Sequence, residues 1–300
     1  MKNNLYTKIS QALTFIILIV LFNINIYGQN PVMVKDINTS PIGSNISSTN
    51  GFVNFNGYYY FSAKGNDLQG EELWRTNGTT EGTSMFKDIN TLRFGNSSPR
   101  ELTVVGSTLY FTARDQAHGI ELWKSDGTPE GTVLVKDINT GPAEGPSNLT
   151  DIEGTLYFIA NDGTHGEELW KSDGTANGTT MVKEIYPGTG GPMIIGMTAI
   201  SGVLYFSAID GAHGRELWKS NGTTDGTIMI KDIYPGLTGS DPLVIYNLNG
   251  TAFFSANNGL NGDELWKSNG TAEGTVMVKD INPGINSGKI NSIYNISGTL

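Results

Sequence analysis

The 300 residues are 38% hydrophobic and 16% charged, which excludes intrinsic disorder and suits one large domain or two small ones. Twenty-nine acidic against 19 basic residues leave a net charge of −10, the wrong sign for nucleic acid. With no cysteine, disulfides, thiolate metal sites and cysteine nucleophiles are excluded.

Residues 1–28 read as a signal peptide. Lys2 and Lys8 supply the positive start, Ala12–Phe22 is apolar apart from Thr14, and Tyr27-Gly28 precedes an expected cut before Gln29. The apolar run is short for a membrane span, so the expected localisation is secreted or cell-surface, with no span after signal removal. Residues 29–300 form the repeat domain. Its first expected element, Val32–Ile37, is a lone strand.

Repeats then dominate. All five tryptophans, Trp74, Trp123, Trp170, Trp218 and Trp266, end a Glu-Leu-Trp, spaced 49, 47, 48 and 48 residues apart. Lys-Ser or Arg-Thr follows, then Asp/Asn-Gly-Thr-x-x-Gly-Thr, then a short apolar run that leads mostly into Lys-Asp-Ile, as at Val135–Ile138. A link rich in Gly, Pro, Asn and Ser leads to a second run, a tight turn such as Glu153-Gly154, and a Leu-Tyr-Phe run such as Leu204–Phe206. Each unit thus holds four short strands and no room for a helix, the signature of a propeller blade. In the third unit, A is expected near Leu149–Ile152, B near Leu156–Ala160, C near Glu168–Lys171 and D near Met181–Ile185. Short A–B, B–C and C–D links predict an antiparallel meander, and the long D–A link a crossing to the next sheet.

The expected fold is all-β: a β-propeller of four-stranded blades, about 48 residues each, with five full blades and partial blades at both ends. The lone strand at Val32–Ile37 and an A-like run at Ile290–Ile296 are complementary parts of one blade. The 300 residues are therefore expected to be an incomplete ring or a fragment truncated at its C-terminus, with six blades if a single one closes it, and a seven- or eight-bladed ring or an open array as the alternatives.

Glu121-Leu122-Trp123-Lys124-Ser125-Asp126-Gly127-Thr128 resembles the ELWxxDGT repeat of secreted bacterial proteins common in the Bacteroidetes. The resemblance covers nearly everything from Pro31 onward; Asn77, Asn221 and Asn269 depart from its Asp, a change the same turn tolerates. It implies a secreted or cell-surface protein, often with a C-terminal domain for type IX secretion; it supplies no established activity, so no catalytic residue is carried over from it.

The candidate ligand- or calcium-binding rim is the B–C loop, Asp-Gly-x-His-Gly-x-Glu. It comprises Asp115, His118 and Glu121; Asp162, His165 and Glu168; and Asp210, His213 and Glu216. The first and fifth units have Gln69 and Asn261 at the histidine position. Carboxylates and loop carbonyls are the oxygen donors calcium takes, so calcium is the candidate cofactor. One histidine per blade suits zinc poorly. The competing reading makes Asp and His turn residues and Glu a backbone cap. The Asp/Asn-Gly-Thr loop reads as a turn rather than a cation cage. The Lys136-Asp137 and Lys231-Asp232 pairs read as edge charges, and the tryptophans as packing between blades rather than sugar platforms.

The expected function is a secreted, non-enzymatic binding or adhesion scaffold for glycans, other surface polymers or a surface protein. The alternative is a glycan-active enzyme, or the non-catalytic part of one whose catalytic region lies beyond residue 300.

Overall fold

Tyr, Phe, Val, Ile and Thr crowd the short runs, and Asp, Asn and Gly punctuate them, so each unit folds as a meander. The computed structural model describes residues 32–38, 43, 44, 46, 51–65, 70–141, 145–296 and 298. The signal-peptide segment and Gln69 lie outside the described residues. Among the described residues there is no helix, and hence none to cross a membrane.

Twenty strands form five four-stranded antiparallel sheets in meander order, confirming the all-β propeller fold. Sheet one holds β1 (Val53–Phe55), β2 (Tyr58–Lys64), β3 (Glu71–Thr76) and β4 (Ser84–Lys87). Sheet two holds β5 (Arg100–Val105), β6 (Thr108–Asp115), β7 (Gly119–Ser125) and β8 (Val133–Lys136). Sheet three holds β9 (Ser147–Ile152), β10 (Thr155–Asn161), β11 (Glu167–Ser172) and β12 (Thr180–Lys183). Sheet four holds β13 (Ile195–Ile200), β14 (Val203–Ile209), β15 (Arg215–Ser220) and β16 (Ile228–Lys231). Sheet five holds β17 (Leu243–Leu248), β18 (Thr251–Asn257), β19 (Asp263–Ser268) and β20 (Val276–Lys279). The first strands of successive sheets, β1, β5, β9, β13 and β17, lie beside one another, so strand A lines the inner side.

The D strands end sooner than the sequence suggests. β12 stops at Lys183 because the Ile185 N–H donates to Glu168 Oε2 at 2.9 Å rather than continuing the ladder. Strand A carries a bulge in sheets two to five, each with a residue at positive φ: Glu101, Asn148, Gly196 and Val244. A bulge re-aims the strand, and at Gly196 the backbone conformation costs little. At β-branched Val244, with φ 53°, it is strained.

The core lies between the sheets. Leu73, Phe86 and Ile89 of sheet one pack against Phe111, Ala113 and Trp123 of sheet two, and the same sets recur at the next three interfaces. Each tryptophan is nearly buried; Trp123, Trp170, Trp218 and Trp266 pack between sheets, and Trp74 packs with Ile37. Truncating such a ring costs about 3–5 kcal/mol.

The lysines correct the sequence reading. Lys136 Nζ donates to Thr179 O at 2.8 Å and Lys231 Nζ to Thr275 O at 2.9 Å, as do Lys87 to Pro129 O and Lys183 to Thr227 O. They are clamps between sheets, not edge charges.

The chain divides into Met1–Lys35 and Asp36–Leu300, with every sheet in the second unit. The expected strand at Val32–Ile37 is not formed: no residue of that run is in a strand. Within the second unit, however, Ile37 packs on Phe61, Ala63 and Trp74, the place that Ile89 takes against sheet two. Asn38 Nδ2 donates to Gly43 O at 2.7 Å, and the Lys64 N–H to Ser44 O at 2.7 Å, as Arg114 does to Ser97 O. Ile37, Asn38, Gly43 and Ser44 thus make contacts that a D–A link makes elsewhere. The A-like run at Ile290–Ile296 is likewise not a strand; only Ile296 makes a bridge.

Candidate functional site: the loop rim and its cavity

B–C loops and D–A links meet on one rim. Asn139 of one link donates through Nδ2 to Asn161 O of the next sheet, and Tyr186 and Tyr234 lie against Gly211 and Gly259 in the following B–C loops.

Each predicted triplet divides into two separate devices. Asp162 Oδ1 accepts the Thr164 and His165 N–H groups at 2.9 Å, while its Oδ2 meets His165 Nδ1 at 2.8 Å. Asp115 with His118, and Asp210 with His213, repeat this at 2.7 and 2.8 Å. The histidine rings stay partly exposed. Their hydrogen bonds to the aspartates raise the pKa values of His118, His165 and His213. Burial pushes Asp115, Asp162 and Asp210 up, but the ring and backbone bonds prevail and hold them low. In sheet five the dyad becomes Asn258 and Asn261, and Asn261 Nδ2 donates to Asp280 Oδ2 at 2.8 Å.

The glutamates point inward and cap the D–A link. Glu121 accepts the N–H groups of Ile138 and Asn139, and Glu168 those of Ile185 and Tyr186. Glu72 and Glu216 also accept a serine hydroxyl, from Ser97 at 2.5 Å and Ser240 at 2.6 Å. In the other two links, Pro146 and Pro192 stand where those serines would, and proline offers no donor. Burial raises all four carboxyls, and Glu121 and Glu168 reach about 7. Asp162 and Glu168 therefore spend oxygens on backbone donors instead of converging. Among the described residues, no three His, Asp or Glu side chains are grouped to hold a metal.

The Asp/Asn-Gly-Thr loops are turns. Asp173 Oδ1 accepts from the Thr175 N–H and hydroxyl at 2.8 and 2.7 Å, and Asn221 does the same for Thr223.

Sequence reasoning missed a cavity of about 570 Å³ on this rim, where sheets four and five meet the link beyond β20. Ile195, Leu243 and Ile290 form its apolar wall; Arg215, Lys289, Asp241 and Asp263 bring charges of both signs. Arg215 Nε lies 3.4 Å from Asp241 Oδ1, and its Nη1 donates to Met193 O. The signal was present: the residue before Glu-Leu-Trp is Glu71, Ile120, Glu167, Arg215 and Asp263 in turn, with one cation among them. Strained Val244 adjoins Leu243 in the wall.

No family model matches the chain, and no curated protein matches it. Among solved structures it is similar to a prolyl endopeptidase at 14% identity, covering 74% of this chain and 34% of that one, with a TM-score of 0.46. It is similar to prolyl oligopeptidase B from Galerina marginata bound to a 25mer macrocyclization substrate at 14%, covering 77% and 38%, with a TM-score of 0.49. A third is oligopeptidase B from Leishmania major at 12%, covering 78% and 34%, with a TM-score of 0.46. The chain thus spans between 34% and 38% of the length of these proteins. The likeness is one of fold. The three similar structures are those of peptidases. These neighbours do not support the expected non-enzymatic adhesion scaffold for glycans and stand nearer the alternative weighed beside it, a glycan-active enzyme or the non-catalytic part of one.

Proposed function

We propose that this chain is the substrate-holding propeller part of a hydrolytic enzyme, whose rim cavity takes a peptide-like chain while another part of the protein supplies the chemistry. The observation that carries this reading is the cavity itself. It is where the repeat departs from its own pattern, and its lining offers what a peptide presents partners for: cations, carboxylates, hydroxyls and an apolar wall. Its lining holds no aromatic ring of the kind on which sugars stack. Strain at Val244 supports the reading, because backbone strain gathers where a site needs a fixed geometry. Export belongs to the same proposal, supported by the apolar run after Lys2 and Lys8.

Calorimetric titration with a zwitterionic tetrapeptide tests it. Saturable binding that is lost in Arg215→Ala and weakened in Lys289→Ala is expected. Binding indifferent to both substitutions, or preference for a neutral oligosaccharide, overturns the reading.

A further inference from the structure

Four of the five sheets have their outer face covered by the next one. At strand B, Tyr60, Tyr110, Tyr157 and Tyr205 are buried; at strand C, Leu73, Leu122, Leu169 and Leu217 are fully so. At strand D and just beyond, Val182 and Ile185 are 4% exposed. In sheet five the same positions are open: Phe253 and Leu265 are half-buried, while Val278 is 44% and Ile281 51% exposed.

The polar part of the interface is open in the same place. Lys171 Nζ donates to Gly222 O, Lys219 to Gly270 O, and Lys183 and Lys231 to threonine carbonyls of the next sheet. Their counterparts Lys267 and Lys279 are exposed and have no such acceptor among the described residues. This face therefore continues an established interface, with its apolar and donor halves in register.

We infer that the outer face of sheet five is a receptor for one further sheet of this same repeat. The occupant must bring Trp, Phe and Ala from a B–C hairpin onto Phe253, Leu265, Val278 and Ile281, and the carbonyls of a Gly-Thr turn onto Lys267 and Lys279. Residues 288–300 already repeat the pattern of 240–252, with Tyr294-Asn295-Ile296 answering Tyr246-Asn247-Leu248. One bond of that pattern's A–B turn recurs too: the Gly298 N–H donates to Asn295 Oδ1 at 2.7 Å, as Gly250 does to Asn247. A second copy of the chain offers no free partner face, because Phe61 and Trp74 of sheet one are already buried, with Ile37 packed on them.

The test joins a copy of Phe253–Lys279 after Leu300, in register with the repeat. The expected result is a single unfolding transition at higher temperature, with amide exchange at Val276–Lys279 slowed by at least about tenfold. Val278→Asp should abolish that gain in the extended chain while leaving the melting temperature of the original chain unchanged. An appended segment that stays disordered, or melts separately without slowing exchange, overturns the inference. So does a dimer of the original chain that Val278→Asp dissociates, which would give the face to a second copy.

Discussion

The two rims use similar residues to different ends. On the C–D side, Asp or Asn, Gly and Thr make one turn five times: Asp126, Asp173 and Asn221 accept the same two bonds from Thr128, Thr175 and Thr223. On the B–C side the copies diverge. Asp–His dyads in sheets two to four give way to an asparagine pair in sheet five, serine caps to proline in two links, and only Arg215 puts a cation directly before Glu-Leu-Trp. Where the repeat is kept, its polar atoms serve the backbone. Where it is broken, the polar partners change from sheet to sheet: Asp162 holds His165, Asn261 holds Asp280, and Arg215 holds Met193 O and Asp241.

The largest effect expected from breaking this contrast lies between the rims. Trp170→Ala should cost about 3–5 kcal/mol in denaturant unfolding, because it empties the interface of sheets two and three. Glu168→Ala comes next, at about 2–3 kcal/mol, since the Ile185 and Tyr186 N–H groups lose their acceptor. On the opposite rim, Asp173→Ala and Asn221→Ala should each cost about 1 kcal/mol, while Asn221→Asp should be neutral.

The pH dependence sharpens the same contrast. Glu121 and Glu168 hold their protons up to about 7 in the fold against 4.5 in the unfolded chain. Their contribution is full below pH 4.5 and lost as pH rises through about 7. The raised histidines act in the same direction: full below 6.5, lost as pH rises through their higher folded values. The melting temperature should therefore fall between pH 5.5 and 8, less so in a Glu121→Gln, Glu168→Gln double variant. The lowered aspartates work oppositely, their contribution being lost as pH falls below 3.8. The smallest effect on stability belongs to the cavity. Arg215→Ala should change unfolding by under about 1 kcal/mol, because Asp241 is largely solvent-exposed, yet it should remove peptide binding.

Strand C was legible because Glu-Leu-Trp needs two buried faces, and the turns because Asn-Gly and Asp-Gly set their own geometry. The end of strand D was not. Its last apolar residue, Ile185, keeps its burial while its N–H turns to Glu168, and hydrophobic pattern alone does not register that change. Lys136 and Lys231 were misread for a related reason: a lysine on an edge and a lysine reaching a neighbouring sheet have the same local sequence. The aspartate and histidine spacing correctly located the rim loops, but which oxygens converge depends on where each chain bond points. The cavity was hidden because it is assembled from two sheets and a link, each unremarkable by itself.

The position of the tryptophan gives every interface a direction. Each sheet offers its ring to the one before it, so no patch ever meets its own copy. Such contacts are heterologous, and heterologous contacts either close on themselves or propagate. The chemistry of one interface therefore says nothing about how many sheets a ring will hold. That number depends on the angle between neighbouring sheets, which a single contact leaves open.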